Sequence, residues 1–390
     1  MNVLYCILDN RCGGPHRRAH AVARRLREYN IETLFLLGYK GGETWQPDGF
    51  PSCLCKHIQC FRRHRPLSNL AVFTAALPYT LSRLCRIIKS NDIDIVHVDG
   101  VTNFVPALAA RLTGRPIVWL YNDYLPRPLR PVLMPLMTRL ASTVLVQGDC
   151  LKRLYTEGNP RLRDKTIVLH SGVDTTQFTP DGSGRDLRRG IRQELGLPPD
   201  CTLVGTIRNV NRFKGLTYFI EAAARIKSRV PSAKFVIVGR KLDTDPGYWD
   251  QLQQLTERLG LKQDILFTGF REDIPAILSA LDVFVLASIE ESCPVALLEA
   301  IAMKVPVVAT EVGAVSEMVL DGRTGWVVPP RDGVALAEST LTLLEMPRER
   351  LAAMVEAGRE RVEALFDIDA IASQQKQIYE SVSRSPMRHA

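Results

Sequence analysis

The chain has 390 residues and a formal net charge of +8, and 46% of its residues are hydrophobic while 24% are charged. This composition is that of a globular protein, and the length favours two domains that each bury a core. No run of about eighteen apolar residues occurs, so the sequence argues against a transmembrane helix.

The cysteines and the first residues indicate the cellular setting. Nine cysteines are scattered along the chain, an odd number without the spacing of a disulfide framework. Met1–Asp9 lacks the basic segment with which a signal peptide begins, and its apolar residues predict a first strand. We therefore expect a reducing, cytoplasmic setting.

Charge is shared unevenly between the two halves. Residues 1–165 contain 24 Lys and Arg against 12 Asp and Glu, whereas residues 166–390 contain 26 against 30. A net of +12 in the first part predicts an anionic partner, such as a membrane surface, a nucleic acid or an acidic acceptor. No nucleic-acid-binding motif accompanies the charge, so we expect no nucleic-acid partner and favour a lipid surface or a phosphorylated acceptor.

Two glycines follow the predicted first strand. Gly13 and Gly14 precede a predicted helix over 19–29, and Ile31–Gly38 predicts the second strand. Paired glycines let a ligand approach the backbone at the end of a strand, although a plain turn has the same signature.

A group of thiols and one imidazole follows in the next segment. The alternation of Cys53, Cys55 and His57 predicts one face of a strand, and Cys60 comes soon after. Structural zinc ligands usually come in pairs separated by about two to four residues, which this pattern lacks. We therefore expect no metal site.

Residues 61–90 mix basic and apolar side chains at helical spacing. Arg62, Arg63 and Arg65 stand beside apolar positions that include Leu70, Val72 and Phe73. This pattern fits either a helix that packs on the sheet with a solvated basic face or a face that docks on a membrane surface or an acceptor.

Polar residues end the next two predicted strands. His97 lies in the strand pattern Asp94–Asp99 and is either a core histidine or a residue that lines a site. Asn122 follows the strand pattern Pro116–Tyr121. Both belong to a first domain that we assign to residues 1–172.

The second half repeats the alternation of strand and helix. Leu203–Ile207 predicts its first strand, and three cations follow it at Arg208, Arg212 and Lys214. We assign residues 173–366 to the second domain, with an exposed linker at Asp181–Gly190 and a last helix, about 367–383, that packs back on the first domain. The alternation predicts two doubly wound, Rossmann-like α/β domains facing across a cleft.

Two carboxylates bracket one loop of the second domain. Glu291 precedes a predicted helix at Val295–Met303, and Glu299 lies in its second turn, where helix geometry directs the side chain back toward the loop. The free N–H groups near Cys293, Pro294 and Val295 form an anion site between the two acids. A nucleotide sugar has hydroxyls at either end and a diphosphate between them. The same spacing also fits an alternative without a ligand, in which Glu291 is an acidic helix cap and Glu299 is a solvated glutamate.

The segment Glu291–Ala300 resembles the Glu-x7-Glu motif of the retaining glycosyltransferases of family 4 (glycosyl transferases group 1), which have the GT-B fold. Val308–Thr310, Gly313, Glu317 and Asp321–Pro330 resemble the same family in the same order. The resemblance implies a retaining glycosyltransferase that moves a sugar from a nucleotide-diphosphate sugar to an acceptor, which we expect to be a lipid-linked or cell-surface glycan.

The resemblance also implies roles for single residues. Glu299 would hold the ribose hydroxyls, Glu291 would approach the donor sugar, and Lys214 would grip the diphosphate with either Arg208 or Arg212. Further donor contacts would come from the glycine loop, from two polar residues of the first domain and from the turn that flanks the base: Gly13, Gly14, His97, Asn122 and Phe270. The family commonly has a histidine where this chain has Asn122.

The implied chemistry needs neither a metal nor a cofactor, because cations and N–H groups can neutralise the leaving diphosphate. We expect a cytoplasmic enzyme that is peripheral on the inner face of the membrane. The alternatives are an anionic-surface binding protein with a vestigial donor site, and an epimerase or phosphorylase of the same fold.

Overall fold

The chain folds around two parallel β-sheets. The computed structural model describes residues 1–10, 13–39, 44–56, 68–122, 125, 130–180, 184–241 and 246–384. Contacts divide these residues into two units. The first unit contains Met1–Gly172 and Ile368–Ala390, and the second contains Val173–Asp367.

In the described part of the first unit, seven strands form one parallel sheet in the order β3-β2-β1-β4-β5-β6-β7. Most are short apolar runs that are buried on both faces, as parallel strands covered by helices are. They are β1 (Asn2–Ile7), β2 (Glu32–Gly38), β3 (Ser52–Cys55), β4 (Ile95–Asp99), β5 (Ile117–Tyr121), β6 (Thr143–Val146) and β7 (Thr166–Val168).

The helices of the first unit cover both faces of this sheet. They are α1 (Gly14–Arg27), α2 (Ser68–Ser90), α3 (Phe104–Leu112), α4 (Arg130–Leu140), α5 (Asp149–Thr156), α6 (Pro160–Lys165) and α15 (Ile368–Arg384). The strand order reverses between β1 and β4, and this switch point is where open α/β sheets bind ligands, at the carboxyl ends of the strands.

The second unit has the same organisation. Its described strands are all parallel, in the order β10-β9-β8-β11-β12-β13, and the order reverses between β8 and β11. They are β8 (Leu203–Ile207), β9 (Lys234–Val238), β10 (Ile265–Gly269), β11 (Val283–Leu286), β12 (Val307–Thr310) and β13 (Trp326–Val328). The strand predicted at Leu203–Ile207 is therefore confirmed.

The helices of the second unit are α7 (Gly184–Glu194), α8 (Leu216–Arg229), α9 (Pro246–Arg258), α10 (Ile274–Ala280), α11 (Val295–Ala302), α12 (Val315–Met318), α13 (Gly333–Glu345) and α14 (Arg348–Leu365). The short α11 follows β11 directly. It therefore starts at the carboxyl edge of the sheet, beside the switch point.

The part of the predicted linker Asp181–Gly190 that the structure describes is mostly exposed, as expected, but it is helical instead of irregular, because α7 occupies it from Gly184 onward. Arg188 and Arg192 of α7 both pair with Asp282, at 2.6 and 2.8 Å. Arg188, which lies in the predicted linker, and Arg192, which follows it and is only 6% exposed, thus fix a helix on the sheet.

The pattern of alternating thiols is a strand, as predicted. Cys53 and Cys55 lie on β3, and burial raises the pKa of the Cys53 thiol to about 11. Thiols with raised pKa values are packing groups at neutral pH. His57 and Cys60, and the basic residues Arg62, Arg63 and Arg65, lie outside the described residues.

Helix α15 packs against α1 within the first unit and is tied to the sheet by buried hydrogen bonds. Tyr379 is fully buried, its hydroxyl lies 2.7 Å from His97 Nδ1, and Gln375 Nε2 donates to the same hydroxyl at 2.7 Å. Because Gln375 donates, the tyrosine proton is available for the imidazole. Of the helices in the described ranges, none has the length and apolar composition of a bilayer span.

We predict that Tyr379→Phe destabilises the first unit by about 1–3 kcal/mol, because it leaves buried groups of His97 and Gln375 without their shared partner. Tyr79→Phe is the matched control, since Tyr79 is 72% exposed and its hydroxyl is solvated. Urea denaturation with hydrogen exchange in β4 and α15 measures both variants. Equal stability of the two would contradict the assigned hydrogen bonds.

Candidate active site

The carboxyl edge of the second sheet brings together the residues that bracket the predicted site. The segment after β8 supplies Arg208 and Lys214, and the segment after β11 supplies Ser288 and Glu291. These two strands are neighbours at the switch point, so their ends meet there.

One carboxylate oxygen organises this group. Glu291 Oε1 lies 2.6 Å from Lys214 Nζ and 3.2 Å from Arg208 Nη1, and Ser288 Oγ donates to the same oxygen at 3.1 Å. The side chains of Glu291 and Arg208 are each 9% exposed, and that of Lys214 is 24% exposed. Charges this well buried interact strongly, since little water screens them.

The titration behaviour follows from these contacts. Burial on its own would raise the pKa of Glu291, but Lys214 and Arg208, with hydrogen bonds from Lys214 and Ser288, hold that pKa below its usual range. Burial lowers the pKa of Arg208, and the Glu291 and Glu299 carboxylates offset this in part. Glu291 is therefore ionised at neutral pH.

Arg208 has hydrogen-bonding capacity that the described part of the chain does not use. Its Nε and Nη2 atoms are buried and have no hydrogen-bond partner there. Buried guanidinium donors without acceptors are costly, and oxygens of a phosphate or carboxylate satisfy them in bidentate geometry. The arrangement can hold an anionic ligand beside Lys214.

Two glycines in the left-handed region fix the loops around Glu291. Gly215 has φ +63°, and a Cβ there would lie 1.8 Å from the Ala287 carbonyl oxygen. Gly313 has φ +57°, and a Cβ there would lie 2.4 Å from the carbonyl oxygens of Glu291 and Ser292. Only glycine permits both the backbone angle and these close approaches.

The start of α11 carries the predicted anion site. Pro294 is the N-cap and Val295 the first helical residue, so the free N–H groups point from this end. The Cys293 side chain is 6% exposed and packs in the hydrophobic core, so any contact of Cys293 with a ligand must come from its backbone. Glu299 lies on the same helix, and its charge acts on Arg208.

Of the two arginines that the sequence left open, the structure brings Arg208 into the Glu291 group. Arg212 is exposed in a short 3-10 turn, and its guanidinium lies 5.0 Å from the ring centroid of Tyr248. Phe270 follows β10 and is 39% exposed, with the Arg240 guanidinium 4.0 Å from its ring centroid.

In the first unit, the carboxyl edge holds the glycine loop and Asn122. Gly13 caps α1, which begins at Gly14. Asn122 follows β5, and its Nδ2 donates to Asp99 Oδ1 at 2.6 Å. These positions agree with the predicted placement at strand ends.

The predicted donor contact of His97 needs correction. His97 is 1% exposed in the middle of β4, stacks on Tyr5 with ring centroids 4.2 Å apart, and bonds to Tyr379. Burial and, to a smaller extent, Arg18 lower its pKa well below the usual range. This is the environment of a neutral core histidine, which was the other interpretation of the sequence.

Sequence patterns did not single out Ser288, Asp99 or Arg240. Ser288 and Asp99 each stand at the carboxyl end of a parallel strand, and that position was the signal that could have found them. In the described residues, no cluster of three or more His, Cys, Asp or Glu side chains could hold a metal ion.

Comparisons with family models match both halves of the chain. The model described as Glycosyltransferase Family 4 matches residues 12–177, and the model described as Glycosyl transferases group 1 matches residues 198–346.

Curated relatives agree with this assignment. A GDP-mannose-dependent alpha-(1-6)-phosphatidylinositol monomannoside mannosyltransferase of Mycolicibacterium smegmatis is 38% identical over 296 residues, covering 72% of this chain and 75% of the relative. The lipopolysaccharide core biosynthesis mannosyltransferase LpsB of Rhizobium meliloti is 32% identical over 221 residues, covering 56% of this chain and 61% of LpsB. The match spans about half of the WcaL glycosyltransferase of Escherichia coli, at 51% of its length.

Solved structures show the same fold. HepE of Anabaena, crystallised with UDP-glucose, superposes with a TM-score of 0.82 at 23% identity, covering 98% of this chain and all of that one. A glycosyltransferase from Rickettsia africae superposes with a TM-score of 0.82 at 20% identity, covering 98% of this chain and 99% of that one. The predicted fold and family are confirmed: the chain belongs to the group 1 glycosyltransferases of family 4 and has the two-domain, Rossmann-like GT-B fold.

Proposed function

We propose that the protein is a retaining glycosyltransferase that moves a sugar from a nucleotide-diphosphate sugar to a lipid-linked or cell-surface glycan. The observation that carries this proposal is the buried Arg208, whose Nε and Nη2 atoms have no partner in the described residues, beside the Lys214–Glu291 pair. A diphosphate supplies the oxygens that such donors require.

The chemistry follows from where charge develops. When the glycosidic bond breaks, the nucleoside diphosphate leaves with growing negative charge on its phosphate oxygens. Arg208, Lys214 and the N–H groups at the start of α11 stabilise that charge, and their positions are fixed before the reaction. Arg212, which is exposed on the neighbouring turn, adds to the positive potential.

Glu291 has two tasks in this proposal. Its carboxylate holds Lys214 and Arg208 in place, which the 2.6 and 3.2 Å contacts support, and the carboxylate also approaches the donor sugar. Retention follows from attack on the same face as the leaving group, with the departing phosphate accepting the proton of the acceptor hydroxyl. No separate general base is required. Glu299 binds the ribose hydroxyls.

The substrate classes rest on the relatives. HepE was crystallised with UDP-glucose, and the Mycolicibacterium relative is a GDP-mannose-dependent mannosyltransferase of a phosphatidylinositol glycolipid. LpsB acts in lipopolysaccharide core biosynthesis. These names support a nucleotide sugar as donor and a glycolipid or polysaccharide precursor as acceptor. They do not distinguish uracil from guanine as the base of the nucleotide sugar. Gly13, Gly14, Asn122 and Phe270 stay predicted substrate contacts.

A membrane surface fits one helix of the first unit. On α2, Val72 is 54% and Tyr79 is 72% exposed, and the two lie about two helical turns apart on one face. Arg86 and Lys89 are exposed further along the same helix. Apolar and basic side chains exposed on one helix favour binding at an anionic lipid surface, where a lipid-linked acceptor would be presented. We propose a cytoplasmic enzyme that is peripheral on the inner face of the membrane.

The first prediction from the proposed function separates the two glutamates. Glu299→Ala should weaken donor binding about ten- to a hundredfold, since one charged hydrogen bond contributes about 1.5–3 kcal/mol. Glu291→Gln should lower turnover more than binding, because it weakens the hold on both cations. Calorimetric titration and donor hydrolysis, with UDP-glucose and GDP-mannose tested in parallel, measure the two effects.

The control for both variants is Glu311→Gln, an exposed carboxylate next to β12, which should bind and turn over donor normally. Unchanged donor affinity in Glu299→Ala would remove the ribose assignment. Absence of both donor binding and donor hydrolysis in the wild type would favour the alternative of a vestigial donor site.

The second prediction concerns metals. Activity should survive EDTA, because Arg208 and Lys214 take the place that a divalent ion would have at the diphosphate. Donor hydrolysis and sugar transfer are measured in EDTA and in magnesium or manganese. Loss of activity on chelation, restored by either ion, would overturn metal independence.

The third prediction concerns the surface of α2. The protein should sediment with phosphatidylglycerol vesicles at low salt and be released at high salt, because the attraction acts within a Debye length. Substituting Arg86 and Lys89 with Gln should weaken binding about thirtyfold, at about 1 kcal/mol per basic residue.

Val72→Ser with Tyr79→Ser should also weaken binding, whereas Val334→Ser, which changes an exposed apolar residue of the second unit, should not. Equal binding to neutral phosphatidylcholine vesicles would show that the contact is only hydrophobic and that the basic residues do not contribute. No binding to either lipid would return α2 to the role of a solvated helix and favour a soluble acceptor.

A further inference from the structure

The segment that leaves β11 is held by the strands on both sides of it. On the side of β12, the Thr310 hydroxyl donates to the Ser288 carbonyl oxygen at 2.6 Å and lies 3.2 Å from the Leu286 carbonyl oxygen. On the side of β8, Gly215 leaves room for the Ala287 carbonyl oxygen, which a Cβ at this glycine would approach to 1.8 Å. These contacts fix the backbone directly in front of the Glu291 loop.

The fixed backbone determines where the Ser288 side chain points. Ser288 is 0% exposed, and its hydroxyl donates to Glu291 Oε1 at 3.1 Å. An ionised carboxylate only accepts hydrogen bonds, so the serine proton lies between the two oxygens. The same Oε1 atom contacts Lys214 and Arg208 at 2.6 and 3.2 Å. Ser288 is therefore an uncharged donor to the oxygen that holds both cations.

The loop is also tied to the turn that carries Lys214. The backbone N–H of Ile289 donates to the Phe213 carbonyl oxygen at 2.8 Å, and Phe213 directly precedes Lys214. Both partners of the ion pair between Lys214 and Glu291 thus start from backbone that is bonded together. The Ser288 hydroxyl adds a donor with a single rotatable bond, whereas the two cations reach the carboxylate on long side chains.

Thr310 stands one step further from the cations. It is 0% exposed at the end of β12, and its shortest hydrogen bond is the one to the Ser288 carbonyl oxygen. Valine has nearly the same shape as threonine, so the hydroxyl and not the volume of Thr310 makes this contact. A buried hydroxyl in that position is explained by the carbonyl oxygens that it satisfies.

We propose that Thr310 and Ser288 are positioning residues of the proposed diphosphate site. Thr310 fixes the backbone of Ser288, and the Ser288 hydroxyl holds Glu291 Oε1 where both cations reach it. This inference rests on the proposed function and adds to it two residues that act through Glu291. Without the Ser288 hydroxyl, the carboxylate can turn about its own side-chain bonds, and the spacing of the two cations changes with it.

The first test measures donor hydrolysis with UDP-glucose and GDP-mannose. Ser288→Ala should lower kcat about tenfold and change KM by less than about twofold, because a hydrogen bond to a charged group is lost while the groups that bind the donor remain. Thr310→Val should lower kcat in the same way. Thr310→Ser, which keeps the hydroxyl, should recover most of the activity that Thr310→Val loses.

A double-mutant cycle tests whether Thr310 acts through Ser288. In the Ser288→Ala background, Thr310→Val should lower kcat no further, because the hydroxyl that Thr310 positions is already absent. Effects that multiply in the double variant would show that the two residues act independently and would overturn the assigned order.

The pH profile separates positioning from loss of structure. Burial on its own would raise the pKa of Glu291, and the Ser288 hydroxyl is one of the groups that hold that pKa below its usual range, together with Lys214 and Arg208. Removing the hydroxyl therefore raises the pKa of Glu291. In Ser288→Ala, the fall of kcat toward acid pH should begin at a higher pH than in the wild type.

Two controls match the two substitutions. Thr340 is 0% exposed, and its hydroxyl donates to a backbone carbonyl oxygen inside α13 at 2.7 Å, so Thr340→Val removes a comparable buried hydrogen bond away from the site. The Ser316 hydroxyl lies 3.4 Å from Glu311 Oε1 at the surface, so Ser316→Ala removes a serine beside another glutamate. Both variants should keep the kcat, the KM and the pH profile of the wild type.

The outcomes distinguish this inference from the proposed function. Turnover by the wild type, with unchanged kcat and an unchanged pH profile in Ser288→Ala, overturns the inference alone. A lowered kcat in Ser288→Ala with a normal kcat in Thr310→Val overturns the role of Thr310. Absence of turnover with both nucleotide sugars overturns the proposed function and this inference with it.

Discussion

The Glu291 carboxylate between Lys214 and Arg208 is the interaction on which the rest of the site depends. One buried anion holds two cations in place, while Arg208 keeps two further donors buried beside it. Without Glu291, two positive charges would face each other with little solvent to screen them. With it, the cations are fixed before any anion arrives, so binding an anion there needs no reorganisation of the two side chains.

The backbone supplies the precision of this arrangement. Lys214 and Glu291 come from loops after neighbouring parallel strands, and Gly215 and Gly313 let the adjacent loops approach closer than any side chain would allow. The first unit uses the same principle differently. There a buried acid, Asp99, orients an uncharged amide instead of cations. Parallel sheets thus place both polar groups at the edge where connecting loops leave the strands.

Much of this could be predicted from the sequence, for identifiable reasons. Buried parallel strands are short apolar runs, so Leu203–Ile207 was predicted as the strand that is β8, and the spacing from Glu291 to Glu299 identified the loop before α11. What failed depends on contacts distant along the chain. Arg188 contributed to the prediction of a linker because its partner Asp282 is far away in sequence. For the same reason, no residue near His97 in the sequence indicates that His97 bonds to Tyr379. Only the folded structure shows that Arg208 pairs with Glu291 while Arg212 lies over the ring of Tyr248.

The most direct test of the proposed diphosphate site compares the binding of UDP and GDP with that of uridine and guanosine by calorimetry, in the wild type and in Arg208→Gln. In the wild type, whichever of UDP and GDP binds should do so at least about a hundredfold more tightly than its nucleoside. Arg208 and Lys214 are the reason, since each charged contact contributes about 1.5–3 kcal/mol. Arg208→Gln should remove about ten- to a hundredfold of that preference and leave nucleoside affinity unchanged. An undiminished preference for the diphosphate in a folded Arg208→Gln protein would contradict the assignment.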